Sequence, residues 1–244
     1  MGIPKSTVQE LIRASANHDC SEGGGVCVQI VGIADLPTRF GDFSVVAFHS
    51  PSDRKEHAAL VRGDVIGKER VPVRLHSECL TGDAFGSLRC DCREQLEMAL
   101  TEIGRRELGV ILYLRQEGRG IGFANKIKAY QLQELGLDTI QANEVLGFRG
   151  DERDYAVAAH MLYSLQVASI DLMSNNPSKI EDLRAHGVRI EGRIPVVVPP
   201  NPYNRRYLET KRVKAGHLLD EPGSLVIHEQ VDSAEVPPEA SSGC

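Results

Sequence analysis

The spacing of apolar residues along this chain changes near residue 91. Before that point, short runs rich in β-branched and aromatic side chains predict strands. After it, Leu96, Ala99, Leu100 and Ile103 follow the i, i+3, i+4, i+7 pattern of an amphipathic helix. The N-terminal part is therefore predicted to be β-rich, with strands at 26–33, 43–48, 58–65 and 71–75.

From residue 91 to residue 219, predicted helices alternate with short strands. The predicted strands lie at 110–114, 139–142, 170–173, 188–190 and 194–198. The predicted helices end at Gly109, Gly136, Leu165, Gly187 and Leu219, and Asp151 is the predicted N-cap of the third. This alternation predicts an α/β fold with mixed sheets, flanking helices and a β-rich N-terminal part.

The two ends of the chain differ from this central region. Residues 1–25 are predicted to form a peripheral segment, with a short helix opened by a capping box at Ser6 and Gln9. Residues 26–219 are predicted to form one domain. Residues 220–244 carry Pro, Ser and Glu without apolar periodicity, which predicts a disordered acidic tail.

Charge is balanced everywhere except in this tail. The tail holds six acidic residues and no Lys or Arg, and the remaining residues hold 28 acidic and 28 basic groups. Such a balance argues against a broad nucleic-acid surface. No apolar run reaches the length of a membrane span, and no apolar signal region follows Met1. We therefore expect a cytoplasmic protein with neither nucleic acid nor membrane as a partner.

Three cysteines form the strongest chemical signal. Cys79, Cys90 and Cys92 lie within fourteen residues, and thiolates at this spacing favour Zn²⁺. Three ligands would leave a position for water, as in catalytic zinc sites, whereas His76 as a fourth ligand would close the site and make it structural. Unligated buried cysteines are the third alternative.

Several cationic and glycine-rich segments predict anion binding. The loop at 116–122 joins a predicted strand to a helix, and the turn at 174–179 precedes another helix, so backbone amides there could hold phosphate. Arg153 in a first helical turn opposes the helix dipole, which a bound anion would explain. Ordinary turns and caps are the alternative at each place. With Arg74, Arg119 and Lys179, these features suit a polyphosphate cut by metal-activated water.

The same segments resemble GTP cyclohydrolase II. The resemblance rests on five motifs in order and covers about residues 36–219: HSECLTGD at 76–83, SLRCDC at 87–92, RQEGRGIG at 115–122, DERD at 151–154 and NNPSK at 175–179. It implies hydrolysis of GTP to 2,5-diamino-6-ribosylamino-4(3H)-pyrimidinone 5′-phosphate, formate and pyrophosphate, the first step of riboflavin synthesis. The leading residues leave no room for the synthase domain that is often fused upstream, so the monofunctional form is expected.

The resemblance also implies site residues and cofactors. Cys79, Cys90 and Cys92 would hold one Zn²⁺ per subunit of a homodimer, with water in the fourth place, and Mg²⁺ would accompany the triphosphate. The implied GTP contacts are Arg74, Leu75, His76, Ser77, Glu78, Gln95, Glu117, Gly118, Arg119, Thr139, Ser174 and Lys179. Ser174 stands where the family usually has Thr, which keeps the hydroxyl.

Three residues would carry catalysis. By resemblance, Asp151 is the proton acceptor, Arg153 attacks the α-phosphorus and Tyr130 lies beside C8. A protonated guanidinium is a poor nucleophile, so electrostatic stabilisation is the alternative role for Arg153.

Two other functions stay open on the sequence alone. A paralogue could stop at the formylated ring-opened product. A binding module with a structural zinc is the other, and the balanced charge and the three thiolates argue against it.

Overall fold

Seven strands form one mixed sheet in the part of the chain that the structure describes. The computed structural model describes residues 3, 5–16 and 26–218, so the predicted disorder of 220–244 lies outside the described residues. The strands are β1 Gln29–Thr38, β2 Gly41–Ser50, β3 Lys55–Arg62, β4 Val71–Ser77, β5 Gly109–Leu114, β6 Ile170–Met173 and β7 Ile190–Ile194. Their order is β1-β2-β3-β5-β4-β6-β7.

The sheet combines an antiparallel half and a parallel half. Strands β1, β2, β3 and β5 pair antiparallel, and β5, β4, β6 and β7 pair parallel. This confirms the predicted α/β class with a β-rich N-terminal part. Parallel strands need long crossover connections, and helices supply them. The helices are α1 Lys5–Ala16, α2 Leu80–Asp83, α3 Cys92–Arg105, α4 Phe123–Glu134, α5 Thr139–Val145, α6 Ala156–Ser164, α7 Pro177–Ala185 and α8 Arg205–Ala215.

Apolar residues cover both faces of the sheet. Along β5, Val110, Leu112 and Leu114 belong to the larger core, which includes residues of α1 and α6. Ile111 points the other way, into a smaller core that includes Met98 and Ile103 of α3. This division follows from the two-residue period of a strand. None of the described helices is long and apolar enough to cross a membrane.

The prediction of a strand at 139–142 is wrong, because these residues begin α5. The Asp138 carboxylate accepts hydrogen bonds from the amides of Ile140 and Gln141, and the Gln141 side chain accepts one from the Asp138 amide. This capping box satisfies amides that a helix start leaves free. The local cap therefore outweighs the β propensity of Thr139 and Ile140.

Other predicted boundaries are also wrong. In place of two strands at 188–190 and 194–198, the structure has one, β7 at Ile190–Ile194. Asp151 is not an N-cap, because α6 begins at Ala156, and residues 151–155 form a loop instead. The helix α1 begins at Lys5, so Ser6 lies inside its first turn rather than at the cap.

Candidate active site

The carboxyl ends of β4, β5 and β6 meet at one pocket, the usual ligand position in sheets with parallel strands. The pocket is lined by sixteen of the eighteen predicted site residues. The two that do not line it are Leu75, whose side chain is buried in the core, and Asp151, which lies beside a neighbouring depression. The structure thus brings together residues from segments that lie far apart in the sequence.

The three predicted zinc ligands form a compact cluster. Their sulfur atoms all lie within 4.8 Å of one another, and Cys79 Sγ is 3.7 Å from Cys90 Sγ. Tetrahedral zinc with Zn–S bonds of about 2.3 Å requires sulfurs about 3.8 Å apart. The donor set therefore fits zinc. Gly82 leaves room for it, because a Cβ there would lie 2.8 Å from Cys90 Sγ.

Lys126 of α4 lies against this cluster. Its Nζ is 3.1 Å from Cys79 Sγ and 2.8 Å from Glu117 Oε1. Hydrogen bonds from the other two thiols, together with this ammonium, lower the pKa of Cys79, whereas the hydrogen bond with Cys79, and next burial, raise the pKa of Cys90 to about 11. Lys126 thus stabilises a thiolate and also holds Glu117, one of the predicted substrate contacts.

His76 does not belong to the thiol cluster. Its Nε2 lies 2.9 Å from the Asp83 carboxylate, and its ring stacks on Tyr113 with the centroids 5.4 Å apart. Asp83 also accepts from the Cys79 amide and the Tyr113 hydroxyl. Asp83 is therefore a largely enclosed acceptor behind the site. His76 Nδ1 is buried and has no hydrogen-bond partner among the described residues, which suits a contact with a ligand.

Three cations of the pocket have no carboxylate partner among the described residues. Arg74 donates to the carbonyl of Met173 and the amide oxygen of Gln95. Lys179 Nζ donates to the Leu75 carbonyl at 3.2 Å, and Arg119 to the Gly150 carbonyl at 3.1 Å.

Lys179 shows most clearly how the lack of a carboxylate partner affects a buried cation. Burial, and next the charges of Arg153 and Arg74, lower the pKa of Lys179 well below its usual value. Buried cations of this kind are stable only with a counter-charge, and a bound anion would supply it.

Arg153 lies in the pocket and pairs with Asp151. The Arg153 guanidinium donates to both carboxylate oxygens, with its Nε 2.8 Å from Oδ1. Burial raises the pKa of Asp151, but the hydrogen bonds and charge of Arg153 outweigh it, so the net pKa is low. The pair therefore holds both groups ionised in the described state.

Tyr130 of α4 lines the pocket close to the thiols. The guanidinium of Arg89 lies 4.2 Å from the centre of its ring, and the Lys126 ammonium lies 5.7 Å away. Burial raises the pKa of Tyr130, so the phenol stays protonated near neutral pH.

The remaining predicted residues adopt local conformations that suit a binding loop. Gly118 and Arg119 have positive φ angles of 65° and 61° within a 3₁₀ turn over Glu117–Gly120. Thr139 begins α5 and lines the pocket. The Ser174 hydroxyl accepts from the Asn176 amide, and Glu78 pairs with Arg115.

The sequence analysis missed several pocket residues. Lys126 had a usable signal, because its four-residue offset from Tyr130 places both on one face of α4. Tyr207, Lys211 and His217 belong to α8 and the turn after it, and they also line the pocket. No motif marked them, because their contacts are with residues much earlier in the chain.

Comparison with known proteins agrees with this geometry. A family model described as GTP cyclohydrolase II matches residues 29–195. A GTP cyclohydrolase-2 from Picrophilus torridus is 50% identical over 192 residues, covering 79% of this chain and 100% of that protein. The riboflavin biosynthesis protein RibBA from Endomicrobium trichonymphae is 52% identical over 191 residues, covering 78% of this chain.

The extent of these matches differs. The chain spans 47% of the E. trichonymphae protein. Among solved structures, RibBX, a two-domain 3,4-dihydroxy-2-butanone 4-phosphate synthase from A. baumannii, aligns over 68% of this chain and 38% of that one, at 16% identity. Its TM-score of 0.33 is too low to inform the fold. The family match and the Picrophilus torridus relative decide the assignment: this chain belongs to the GTP cyclohydrolase II family.

Proposed function

We propose that this chain hydrolyses GTP to 2,5-diamino-6-ribosylamino-4(3H)-pyrimidinone 5′-phosphate, formate and pyrophosphate, the first step of riboflavin synthesis. The observation that carries the proposal is one pocket with two chemically different parts. A cluster of three thiols lines it, and so do Arg74, Arg119 and Lys179, cations without a carboxylate partner among the described residues. The reaction of GTP needs both parts, because it releases formate from the guanine ring and pyrophosphate from the triphosphate.

Cys79, Cys90 and Cys92 would hold one zinc ion per subunit. Zinc there supplies Lewis acidity, which makes water nucleophilic at neutral pH. Three thiolates leave a ligand position open, and the engagement of His76 with Asp83 supports this count. Lys126 and Asp83 would hold Cys79 in place. Lys126 donates to its sulfur, and Asp83 accepts from its amide.

The cationic part of the pocket would bind the triphosphate, with Mg²⁺ as its companion ion. Lys179 and Arg74 are nearly fully buried, so each gains strongly from an anionic ligand. Asn176 caps α7, and the amides at the start of that helix favour negative charge. GTP would thus replace the missing counter-charge.

Arg153 would act as an electrostatic clamp on the α-phosphoryl group. Its pairing with Asp151 supports this role, because charge and hydrogen bonds keep the guanidinium protonated. Asp151 would orient Arg153 and, with its low pKa, would be a weak base in the described state. Stabilisation of a phosphoryl transition state needs only a well-placed cation.

Tyr130 would align the water that cleaves the formamide. Its hydroxyl stays protonated, because the pKa of the phenol is raised, and it lies in the same pocket as the thiols. One hydrogen bond from a phenol is sufficient to hold such a water in line.

The chain would work as a homodimer, as the resemblance implies. Light scattering of the purified protein measures its mass directly. A mass of one chain at working concentrations would refute this part of the proposal without affecting the catalytic part.

Product identification tests the proposed function. The protein is incubated with GTP, Zn²⁺ and Mg²⁺, and chromatography is combined with separate assays for formate and pyrophosphate. The matched control is the same protein after zinc has been removed by a chelator. All three products are expected from the intact protein. Without zinc, formate release and ring opening should be lost and regained when zinc is returned, whereas pyrophosphate release should be retained in part. The formylated ring-opened compound as the end product would identify the paralogue, and unchanged GTP would refute the proposal.

A further inference from the structure

The helix α8 lies beyond residues 29–195, the segment that matches the family model, and yet it forms part of the pocket wall. Tyr207, Lys211 and His217 line the pocket. Tyr207 and Lys211 are four residues apart and therefore share one face of the helix. The ammonium of Lys211 lies 4.3 Å from the centre of the Tyr207 ring.

Three contacts fasten this segment to the site. Asn204, the residue before α8, is buried and donates to the carbonyl of Cys90 at 3.5 Å. Lys211 Nζ donates to Asp91 Oδ1 at 2.6 Å. In the sequence, Asp91 lies between two of the predicted metal ligands. The amide of Leu218 donates to the Asn175 carbonyl at 2.9 Å. The segment therefore contacts both the cysteine turn and the loop after β6.

A chain of hydrogen bonds continues from Lys211 into the pocket. Asp91 Oδ2 accepts from Gln95 Nε2, and Gln95 Oε1 accepts from Arg74 Nη2 at 2.6 Å. Asp91 is 1% exposed and Arg74 is 6% exposed. Lys211 is thus joined to a predicted substrate contact through two intervening side chains.

The direction of the Gln95 amide is the critical feature of this chain. An amide side chain can turn over and exchange its donor for its acceptor, and its partners decide which way it points. Asp91 accepts from the NH₂ group, so the oxygen faces Arg74. Lys211 neutralises Asp91, which otherwise would attract the Arg74 guanidinium directly.

We propose that Lys211 is a positioning residue for the reaction: by holding and neutralising Asp91, it sets the Gln95 amide and thereby the orientation of Arg74 toward the substrate. This inference rests on the proposed function, since it assigns Arg74 to GTP. The contrast with Lys179 supports it, because the ammonium of Lys179 donates to a backbone carbonyl, whereas that of Lys211 is already paired with a carboxylate.

Lys211→Met is the first test, with kcat and KM for GTP, zinc content and unfolding midpoint as readouts. Misplacing a positioned group by about 1 Å can lower kcat by about 100-fold, so a loss of up to that size is expected. KM is expected to rise as well, because the unpaired Asp91 carboxylate would attract the Arg74 guanidinium that the proposal assigns to GTP. The matched control is Arg205→Met, which removes an exposed positive charge from the same helix and should leave both constants unchanged.

The double variant Lys211→Met with Asp91→Asn separates positioning from simple stabilisation. It removes the buried pair altogether, so the fold no longer contains an unpaired charge. Positioning predicts that KM returns toward the unmutated value while kcat stays low. The reason is that an asparagine side chain has both a donor and an acceptor, so it does not fix the direction of the Gln95 amide. A purely structural ion pair predicts that both constants recover.

The outcomes decide the proposal as follows. A folded Lys211→Met protein with unmutated kcat overturns it, and so does full recovery of kcat in the double variant. If Lys211→Met does not fold, the double variant alone decides, and failure of both to fold would overturn the proposal by showing that Lys211 serves the fold. The unmutated chain is assayed first: absence of GTP turnover there refutes the proposed function, whereas normal turnover with an unaffected variant refutes only the role of Lys211.

Discussion

The ammonium of Lys126 bridges Cys79 and Glu117, with its Nζ 3.1 Å from the sulfur and 2.8 Å from the carboxylate oxygen. The two partners come from different segments of the chain. Cys79 precedes the short helix α2, and Glu117 begins the 3₁₀ turn after β5. One buried lysine thus couples the thiol cluster to the glycine-rich loop.

Lys126→Met should destabilise the protein strongly. Both side chains of the Lys126–Glu117 pair are about nine-tenths buried, and removal of one partner from such a pair costs about 3 kcal/mol. Urea unfolding measures the loss. Lys128→Met on the exposed side of the same helix should change the free energy of unfolding by no more than about 0.5 kcal/mol. Equal effects of the two substitutions would contradict the importance of this pair.

Gly82→Ala should weaken zinc binding while leaving the sheet intact. A Cβ at residue 82 would lie 2.8 Å from Cys90 Sγ and 3.1 Å from Cys79 Sγ, so the sulfurs must move apart. We expect a loss of zinc affinity of about tenfold or more, within the range seen when the surroundings of a metal site are disturbed, measured by competition with a chelating dye. Gly32→Ala in β1 is the control, because an added Cβ there meets nothing within 4 Å. Unchanged affinity in Gly82→Ala would show that the cluster is not the zinc site.

Cys90→Ser should abolish formate release, because two thiolates remain and hold zinc weakly. Pyrophosphate release should be retained in part, since Arg153 and Mg²⁺ would serve that step. Zinc content is measured beside both products, and Cys244→Ser is a control for the loss of a thiol. Full formate release from a zinc-free variant would refute the assignment of zinc to this step.

Tyr130→Phe should accumulate the formylated intermediate. The change keeps the ring that packs against Arg89 and removes only the hydroxyl. The variant should therefore fold, bind GTP and open the ring, but lose up to about 100-fold in deformylation. Chromatography of the reaction mixture separates the two products. If the variant gives only the deformylated product, at the rate of the unmutated protein, then Tyr130 has a packing role and the catalytic role is refuted.

His217→Gln should reduce the loss of stability in mild acid. Burial, and next the charges of Lys211, Lys179 and Arg153, lower the pKa of His217 from 6.5 to about 3. Between these values the unfolded chain binds a proton that the folded chain does not, so stability falls as pH falls. Glutamine binds no proton in either state. Unfolding free energies at about pH 7.5 and about pH 5 should therefore differ less in the variant, and an identical difference would contradict the low pKa.

Local patterns were sufficient for much of the fold. The apolar period of residues 96–103 correctly predicted α3, and the run at 110–114 correctly predicted β5. The strand predicted at 139–142 failed, because the decisive interaction was a side-chain cap at Asp138. Asp151 failed as a cap because α6 begins later, at Ala156; its carboxylate accepts from both the amide and the guanidinium of Arg153 in the preceding loop.

The sequence by itself determined the family of this protein and singled out its thiol cluster. The reason is that the three cysteines lie close together in the sequence and the family motifs, including the glycine-rich loop, follow in a specific order and spacing. Only the tertiary structure decided how those groups are held. Lys126 reaches Cys79 across 47 residues and Lys211 reaches Asp91 across 120. No local pattern predicts these two contacts, because they join residues far apart in the sequence and depend on how α4 and α8 lie against the cysteine turn.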